Sequence, residues 1–153
     1  GHDVGLISDA GCPAVADPGA RLVAAAHAAG VTVRPLVGPS SILLGLMASG
    51  LNGQKFAFQG YLPVDAAARG AAIKKLEAES KSQQQTQLFI ETPYRNMQML
   101  EALCQNLNPL TQLCVAADLT LASEFVLTQA VGEWRKHKGL DLHKRPTLFL
   151  FLA

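Results

Sequence analysis

Long apolar runs are what this sequence most clearly lacks. The C-terminal Leu148–Ala153 is an uninterrupted apolar run of six residues, whereas a bilayer-spanning helix takes about 20. That excludes a transmembrane helix, and no signal-peptide pattern is present. Cysteine is scarce: Cys12, Cys104 and Cys114 are odd in number, contain no CxxC pair and build no disulfide framework. With four scattered histidines they offer no metal-ligand spacing, so no metal is expected, and a reducing cytoplasmic setting is. Charge is also sparse, at 16% of residues with a net +1. No long-range field marks nucleic acid or a membrane surface as an obligate partner, although a local basic patch binds RNA without a basic total. The dinucleotide fingerprint GxGxxG and the phosphate loop GxxxxGK[ST] are both missing. No Ser-His-Asp or Cys-His arrangement stands out.

Apolar residues, by contrast, make up 49% of the chain, enough for a well-filled globular core. Gly1-His2-Asp3 runs straight into an apolar stretch without an initiator methionine, and the chain reads as cut from something longer. Val4 to Ser8 is expected to be a buried strand, followed by a Gly/Pro/Asp-rich loop. Asp17-Pro18-Gly19 has the chemistry of a helix start, with Asp17 as N-cap and proline in the first turn. The helix should stop at Gly30, before a second strand, Val31 to Leu36. Strand, helix and strand together predict one parallel βαβ crossover. Ser40 or Ser41 should cap a further helix, Ile42 to Ser49, closed by Gly50, and Leu51 to Gln54 reads as a linker. This divides the chain into 1–52 and 56–153.

The second part reads as a mixed α/β layer of about five strands. Phe56–Gly60, Thr86–Glu91, Leu113–Ala117, Phe125–Val131 and Thr147–Leu152 are the expected strands. A polar amphipathic helix should run from about Asp65 to Lys81, and a short helix should contain Trp134. Thr92-Pro93 should open the clearest helix, where Met97, Leu100, Leu103, Cys104 and Leu107 recur on one face.

In open α/β sheets ligands bind outside the carboxyl ends of strands. Two glycine-containing loops leave such ends: Asp9-Ala10-Gly11-Cys12-Pro13 and Val37-Gly38-Pro39-Ser40-Ser41. Each is followed by a helix start, whose dipole suits a carboxylate; each also fits an ordinary Gly/Pro turn. Glu91-Thr92-Pro93-Tyr94-Arg95 lies at another strand-to-helix junction. A cation at a helix start opposes the dipole, so Arg95 calls for an anionic partner, either Glu91 or a ligand. Asp118-Leu119-Thr120 leaves a strand in the same way, with main-chain contacts to a nucleoside as the functional reading and a capped turn as the plain one. Asp9 and Asp17 would form a carboxylate pair, but Asp17 is already explained as a cap. Cys104 reads as core, Cys12 as an unactivated loop thiol, and His27, His137 and His143 as surface or packing residues.

Taken in order, these segments resemble the tetrapyrrole (corrin/porphyrin) methylases. Val4–Gly19 is similar to their SDAG-x-P-x-x-x-DPG segment, and Val37–Ser41 to a PGPS[AS] turn. Phe58-Gln-Gly-Tyr-Leu-Pro63 is similar to F-x-G-[FY]-L-P, and Glu91–Arg95 to E-[ST]-P-[HY]-R. Within that superfamily the pattern is nearest the branch of ribosomal small-subunit RNA cytidine ribose-2′-O-methyltransferases. The resemblance implies the end of an N-terminal parallel βαβ domain followed by a mixed-sheet C-terminal domain, usually in a homodimer. S-adenosylmethionine would lie between the two domains. Ser8, Asp9, Ala10, Gly11, Cys12, Pro13, Pro39, Ser40 and Ser41 would line its cleft from one side. Leu88, Glu91, Thr92, Asp118, Leu119 and Thr120 would line it from the other, and Tyr94 and Arg95 would face the substrate. The acceptor would be RNA ribose or, alternatively, a tetrapyrrole carbon, and a further alternative is a non-catalytic binding or dimerisation module.

Three positions depart from the pattern. Pro63–Arg69 lacks the branch's lysine/arginine cluster, Ala117-Asp-Leu-Thr120 stands where R-E-L-T is usual, and Cys12 replaces a common threonine. Methyl transfer from a sulfonium needs chiefly alignment and exclusion of water. A ribose hydroxyl also needs a base, for which Asp9 and Glu91 are the candidates.

Overall fold

A computed structural model describes residues 1–9 and 11–153. The chain divides into two compact units, 1–43 and 44–153.

The first unit contains helix α1 (Ala20–Ala28) and the start of α2 (Ser41–Ser49). Helix α1 begins two residues later than the sequence suggests. Gly19 is the N-cap residue and no side chain caps the helix, so Asp17 does not serve as N-cap. Its other end follows expectation. Gly30 takes φ +69°, its N–H reaches His27 O and the Val31 N–H reaches Ala26 O, the paired bonds of a Schellman ending.

The two strands foreseen here, Val4–Ser8 and Val31–Leu36, do not form. Val4, Ile7, Val31 and Leu36 keep their side chains exposed. Apolar β-branched runs supply strand propensity, but a strand exists only where its N–H and C=O groups find a ladder partner. Among the described residues no strand is formed at either segment, so the expected parallel βαβ ladder is corrected to a helix between two segments outside any sheet.

The second unit is a mixed α/β layer around one sheet. Its elements are β1 (Phe56–Tyr61), α3 (Ala66–Gln83), β2 (Thr86–Ile90), α4 (Asn96–Asn106), β3 (Gln112–Ala117), β4 (Phe125–Ala130), α5 (Val131–Trp134) and β5 (Thr147–Leu152). The strand order is β1-β2-β5-β3-β4. β1 and β2 are parallel, while β5 runs antiparallel to both of its neighbours, β2 and β3. Strands β1, β2 and β3 therefore point the same way, and their carboxyl ends share an edge with the amino end of β5.

Side-chain alternation sorts the core. Phe89, Phe149, Phe151, Leu113, Val115 and Ala117 face Ile73 and Leu76 of α3, Met99 and Leu103 of α4, and Trp134 of α5. Phe89 stacks on Phe149 at 5.8 Å and meets Phe151 edge-on at 6.1 Å, arrangements that add to simple burial. The opposite face carries Leu148, Leu150, Cys114 and Ala116, and the C-terminal half of α2 lies against it. A methyl group on Gly45 would come within 2.4 Å of Leu148 Cδ2, and Thr128 Oγ1 donates to Ser49 O at 2.6 Å. With helices on both sides, β5 is buried on both faces, which explains its unbroken apolar sequence.

Local chemistry sets the helix ends. Asp65 caps α3 by accepting from Ala68 N at 2.8 Å. Helix α4 starts at Asn96 rather than at Thr92-Pro93, because residues 92–95 close a turn through Arg95 N to Thr92 O. The buried stripe is accordingly Asn96, Met99, Leu100, Leu103 and Leu107. Met97, expected in it, points outward, and Cys104 lies half-buried at its margin. Arg135 closes the other end of α4, donating through Nε to Cys104 O at 2.8 Å and through Nη2 to Leu107 O at 3.1 Å, a cation on a helix C-terminus.

Candidate functional site

In the first unit the two glycine loops touch. Cys12 Sγ lies 3.5 Å from Pro39 O. A Cβ at Gly11 would fall 2.0 Å from the same oxygen, and Gly11 itself has φ +103°. Glycine is needed there because two backbones meet and because an L side chain disfavours that φ. Gly11, Cys12 and Pro13 are half-buried, as are Ser8 and Ser40, while Asp9, Pro39 and Ser41 are exposed. Ala10, placed with this loop by sequence, lies outside the described residues.

The second unit brings three loops to the shared sheet edge: 91–95 after β2, 118–124 after β3, and 141–146 before β5. Each is tied to the next by a specific bond. The Lys144 N–H donates to Pro93 O, and the Asp118 N–H to Pro146 O. Asn96, fully buried, gives its Nδ2 to Leu142 O at 3.2 Å, Arg145 O at 2.7 Å and Thr147 Oγ1 at 3.1 Å.

Two carboxylates anchor this edge, each facing an arginine. Glu91 Oε1 accepts from Thr92 N at 2.6 Å and from Arg95 Nε and Nη2 at 3.1 and 2.7 Å. Of the two partners the sequence offered Arg95, the structure supplies Glu91. Asp118 Oδ2 accepts from Arg145 Nε at 2.7 Å and from Ser123 Oγ at 2.9 Å. Burial pushes the Asp118 carboxyl upward, but the bonds from Arg145 and Ser123 and the Arg145 charge outweigh it and hold the group below its ordinary value.

The Asp118-Leu119-Thr120 turn is unusual backbone. Asp118 (φ +52°) and Thr120 (φ +72°) both occupy the left-handed region, which is costly for residues with a Cβ, threonine above all. Arg145 and Glu124 hold it: Arg145 Nη2 also donates to Ser123 O at 2.6 Å, and Glu124 accepts from Thr120 N at 2.7 Å. Beside the turn lies a hollow of about 330 Å³ lined by Leu44, Met47, Ala48, Leu119, Thr120 and Glu124. Its size is at the small end for ligand clefts, about 300–1,000 Å³. Its lining is largely apolar.

The remaining sequence candidates separate. Leu88 is fully buried in β2 opposite Leu150, a core position. Thr92 is half-buried in the turn; Tyr94 is exposed, with its ring 5.7 Å from that of His143. Asn96 and Arg145 were not singled out by sequence. Arg145-Pro146, directly before the apolar β5 run, was the available signal, since a charge at the mouth of a central strand asks for a partner. Among the described residues no three His, Cys, Asp or Glu side chains come together as a metal site, and no helix is long and apolar enough to cross a membrane.

Sequence comparison finds a ribosomal RNA small subunit methyltransferase I of Escherichia coli O157:H7, 35% identical over 133 residues, 87% of this chain and 45% of the relative. The protein of that name from Xylella fastidiosa is 34% identical over 153 residues, 100% of this chain and 55% of the relative. The chain thus spans about half the length of the curated relatives it matches. No family model matches. Among solved structures, the methyltransferase CobJ gives a TM-score of 0.58 at 18% identity, covering 94% of this chain and 62% of that one. A uroporphyrin-III C-methyl transferase from Thermus thermophilus complexed with S-adenyl homocysteine gives 0.53 at 15%, covering 94% and 63%. The chain is a homologue of the ribosomal RNA small subunit methyltransferases I, and its fold with a five-strand mixed sheet is that of the tetrapyrrole methylase structures.

Proposed function

We propose that this chain is part of an S-adenosylmethionine-dependent methyltransferase acting on a ribose hydroxyl of small-subunit ribosomal RNA. The observation that carries the reading is the collinear homology to proteins of that name, at 34–35% identity across 87–100% of the chain. It is joined by the position of the Glu91–Arg95 and Asp118–Thr120 turns at the carboxyl edge of parallel strands. The tetrapyrrole enzymes are similar at 15–18% identity, a likeness of fold, so RNA is the preferred acceptor over a tetrapyrrole carbon.

In this reading Ser8–Pro13 and Pro39–Ser41 supply one wall of the cofactor site, and Glu91 and Thr92 with Asp118–Thr120 the other, Leu88 being a core residue behind them. Residues 1–52 would be the latter part of an N-terminal domain and 56–153 the C-terminal domain of a cytoplasmic homodimer. S-adenosylmethionine supplies the methyl group, and the protein holds the acceptor oxygen in line with it. Of the two candidate bases, Asp9 is the solvent-open carboxylate, whereas Glu91 is already engaged by Thr92 and Arg95; Asp9 is therefore the first choice for taking the ribose proton.

Calorimetric titration with S-adenosylhomocysteine, followed by transfer of labelled methyl from S-adenosylmethionine to small-subunit RNA, tests the proposal. Binding with label recovered as a 2′-O-methyl nucleoside is expected, and Asp9→Asn should lower transfer about 10²-fold or more. Absence of S-adenosylhomocysteine binding by this chain and by a longer form would overturn it.

A further inference from the structure

The lysine/arginine cluster missing from residues 63–69 has a counterpart elsewhere. Residues 135–145 hold Arg135, Lys136, Lys138, Lys144 and Arg145, with His137 and His143, against the single acid Asp141. In a chain of net charge +1, this short segment is strongly basic and the remainder is net acidic.

The segment is fixed in place. Arg135 holds it to the C-terminal end of α4 through Cys104 O and Leu107 O. At the other end Asn96 takes Leu142 O and Arg145 O, and Lys144 N donates to Pro93 O. Leu142 is fully buried and Leu140 packs against the core. The segment is therefore a strap along the eleven residues of α4, about 16 Å at 1.5 Å per residue.

Its charges divide into two sets. Arg135 and Arg145 are used internally, on carbonyls and on Asp118. Lys136, Lys138, His143 and Lys144 are exposed. Lys136 meets Glu133 at the surface, and among the described residues Lys138 and Lys144 form no ion pair. Beside Lys144, Tyr94 is 68% exposed and its ring meets that of His143 at 5.7 Å. An exposed aromatic pair next to cations on an anchored backbone matches the combination that binds single-stranded nucleic acid, with cations on the phosphates and a π-face for a base. An anionic membrane is the weaker match, because interfacial binding also needs apolar side chains to insert, and Leu140 and Leu142 point into the core.

We infer that the strap 135–145, with Tyr94, is a single-stranded RNA-binding surface. Lys136, Lys138 and Lys144 contact phosphates, and the Tyr94–His143 pair stacks on a nucleobase. The inference rests on RNA being the methyl acceptor and gives that acceptor a place on the second unit.

Fluorescence anisotropy with a labelled single-stranded RNA of about a dozen nucleotides tests it. Tyr94→Ala should weaken binding roughly tenfold while Tyr94→Phe retains it. K136A/K138A/K144A should reduce the salt dependence of log K by about two. Both changes should leave thermal melting and S-adenosylhomocysteine affinity unchanged, since these side chains lie at the surface. Wild-type affinity and salt slope in both variants overturns the inference, as does binding to phosphatidylglycerol vesicles without binding to RNA. If S-adenosylhomocysteine binds but RNA does not depend on the strap, only this inference fails. If RNA depends on the strap but S-adenosylhomocysteine never binds, the methyltransferase reading fails and the surface stands.

Discussion

Arg145 and Asp118, 27 positions apart, are joined by a 2.7 Å bond from Nε to Oδ2, and the same guanidinium donates to Ser123 O at 2.6 Å. One side chain thus fixes both sides of the turn that carries Leu119 and Thr120.

Arg145→Ala should destabilise the protein by about 2 kcal/mol near neutral pH. Removing one partner from a fully buried pair costs about 3–5 kcal/mol, and the smaller figure reflects an Arg145 side chain that is 24% exposed. Because the Asp118 carboxyl is held below its ordinary value, the stabilisation is complete above the usual carboxylate range and is lost as pH falls through the lowered folded value. Urea unfolding of both proteins, near neutral pH and in acid, should show the difference shrinking with acidity. A constant difference would refute the assignment.

Asn96→Ala should cost about 2–3 kcal/mol, since the carbonyls of Leu142 and Arg145 lose a buried donor. The effect should be local as well as global. The Lys144 amide, bonded to Pro93 O, should exchange faster with deuterium than amides of β5 do, whereas in the wild type it should be protected.

The Glu91–Arg95 pair separates a structural role from a ligand role. In a double-mutant cycle of Glu91→Gln and Arg95→Ala, a coupling of about 1–2 kcal/mol in stability is expected for a carboxylate that is 1% exposed. Coupling near zero in stability, alongside loss of RNA binding in Arg95→Ala alone, would assign Arg95 to the ligand instead.

Much of the second unit could be read from sequence because its signals are local. The strands from Phe56, Thr86, Leu113, Phe125 and Thr147 fall within a residue or so of expectation, as alternation and apolar runs report burial directly. The first forty residues were less readable. Val4–Ser8 and Val31–Leu36 have strand chemistry, yet a ladder depends on a partner that periodicity cannot name. The helix α4 start was misplaced because Glu91 binds Thr92 and Arg95, a side-chain event that turns residues 92–95 before the helix begins. For the same reason the partner of Asp118 was invisible: Arg145 arrives from the far side of β4 and α5, and only the sheet order puts them together.

The three thiols should differ in reactivity. Burial pushes Cys114 up from its ordinary value, and it is wholly buried; Cys104 is also raised, by burial first, with Arg135 opposing and Glu101 adding to the shift. A disulfide reagent should therefore modify loop residue Cys12 first, Cys104 more slowly, and Cys114 only after denaturant is added. Mass spectrometry of peptides sampled over time reads the order, and early loss of Cys114 would contradict the burial.

The position of β5 between β2 and β3 has a consequence for how the protein is made. Until residues 147–152 leave the ribosome, β1 with β2 and β3 with β4 are two separate ribbons, each with an open apolar edge. The nascent chain is thus obliged to wait on β5 before either ribbon is safe from pairing with a neighbour, and losing that strand would leave two sticky halves in place of one sheet.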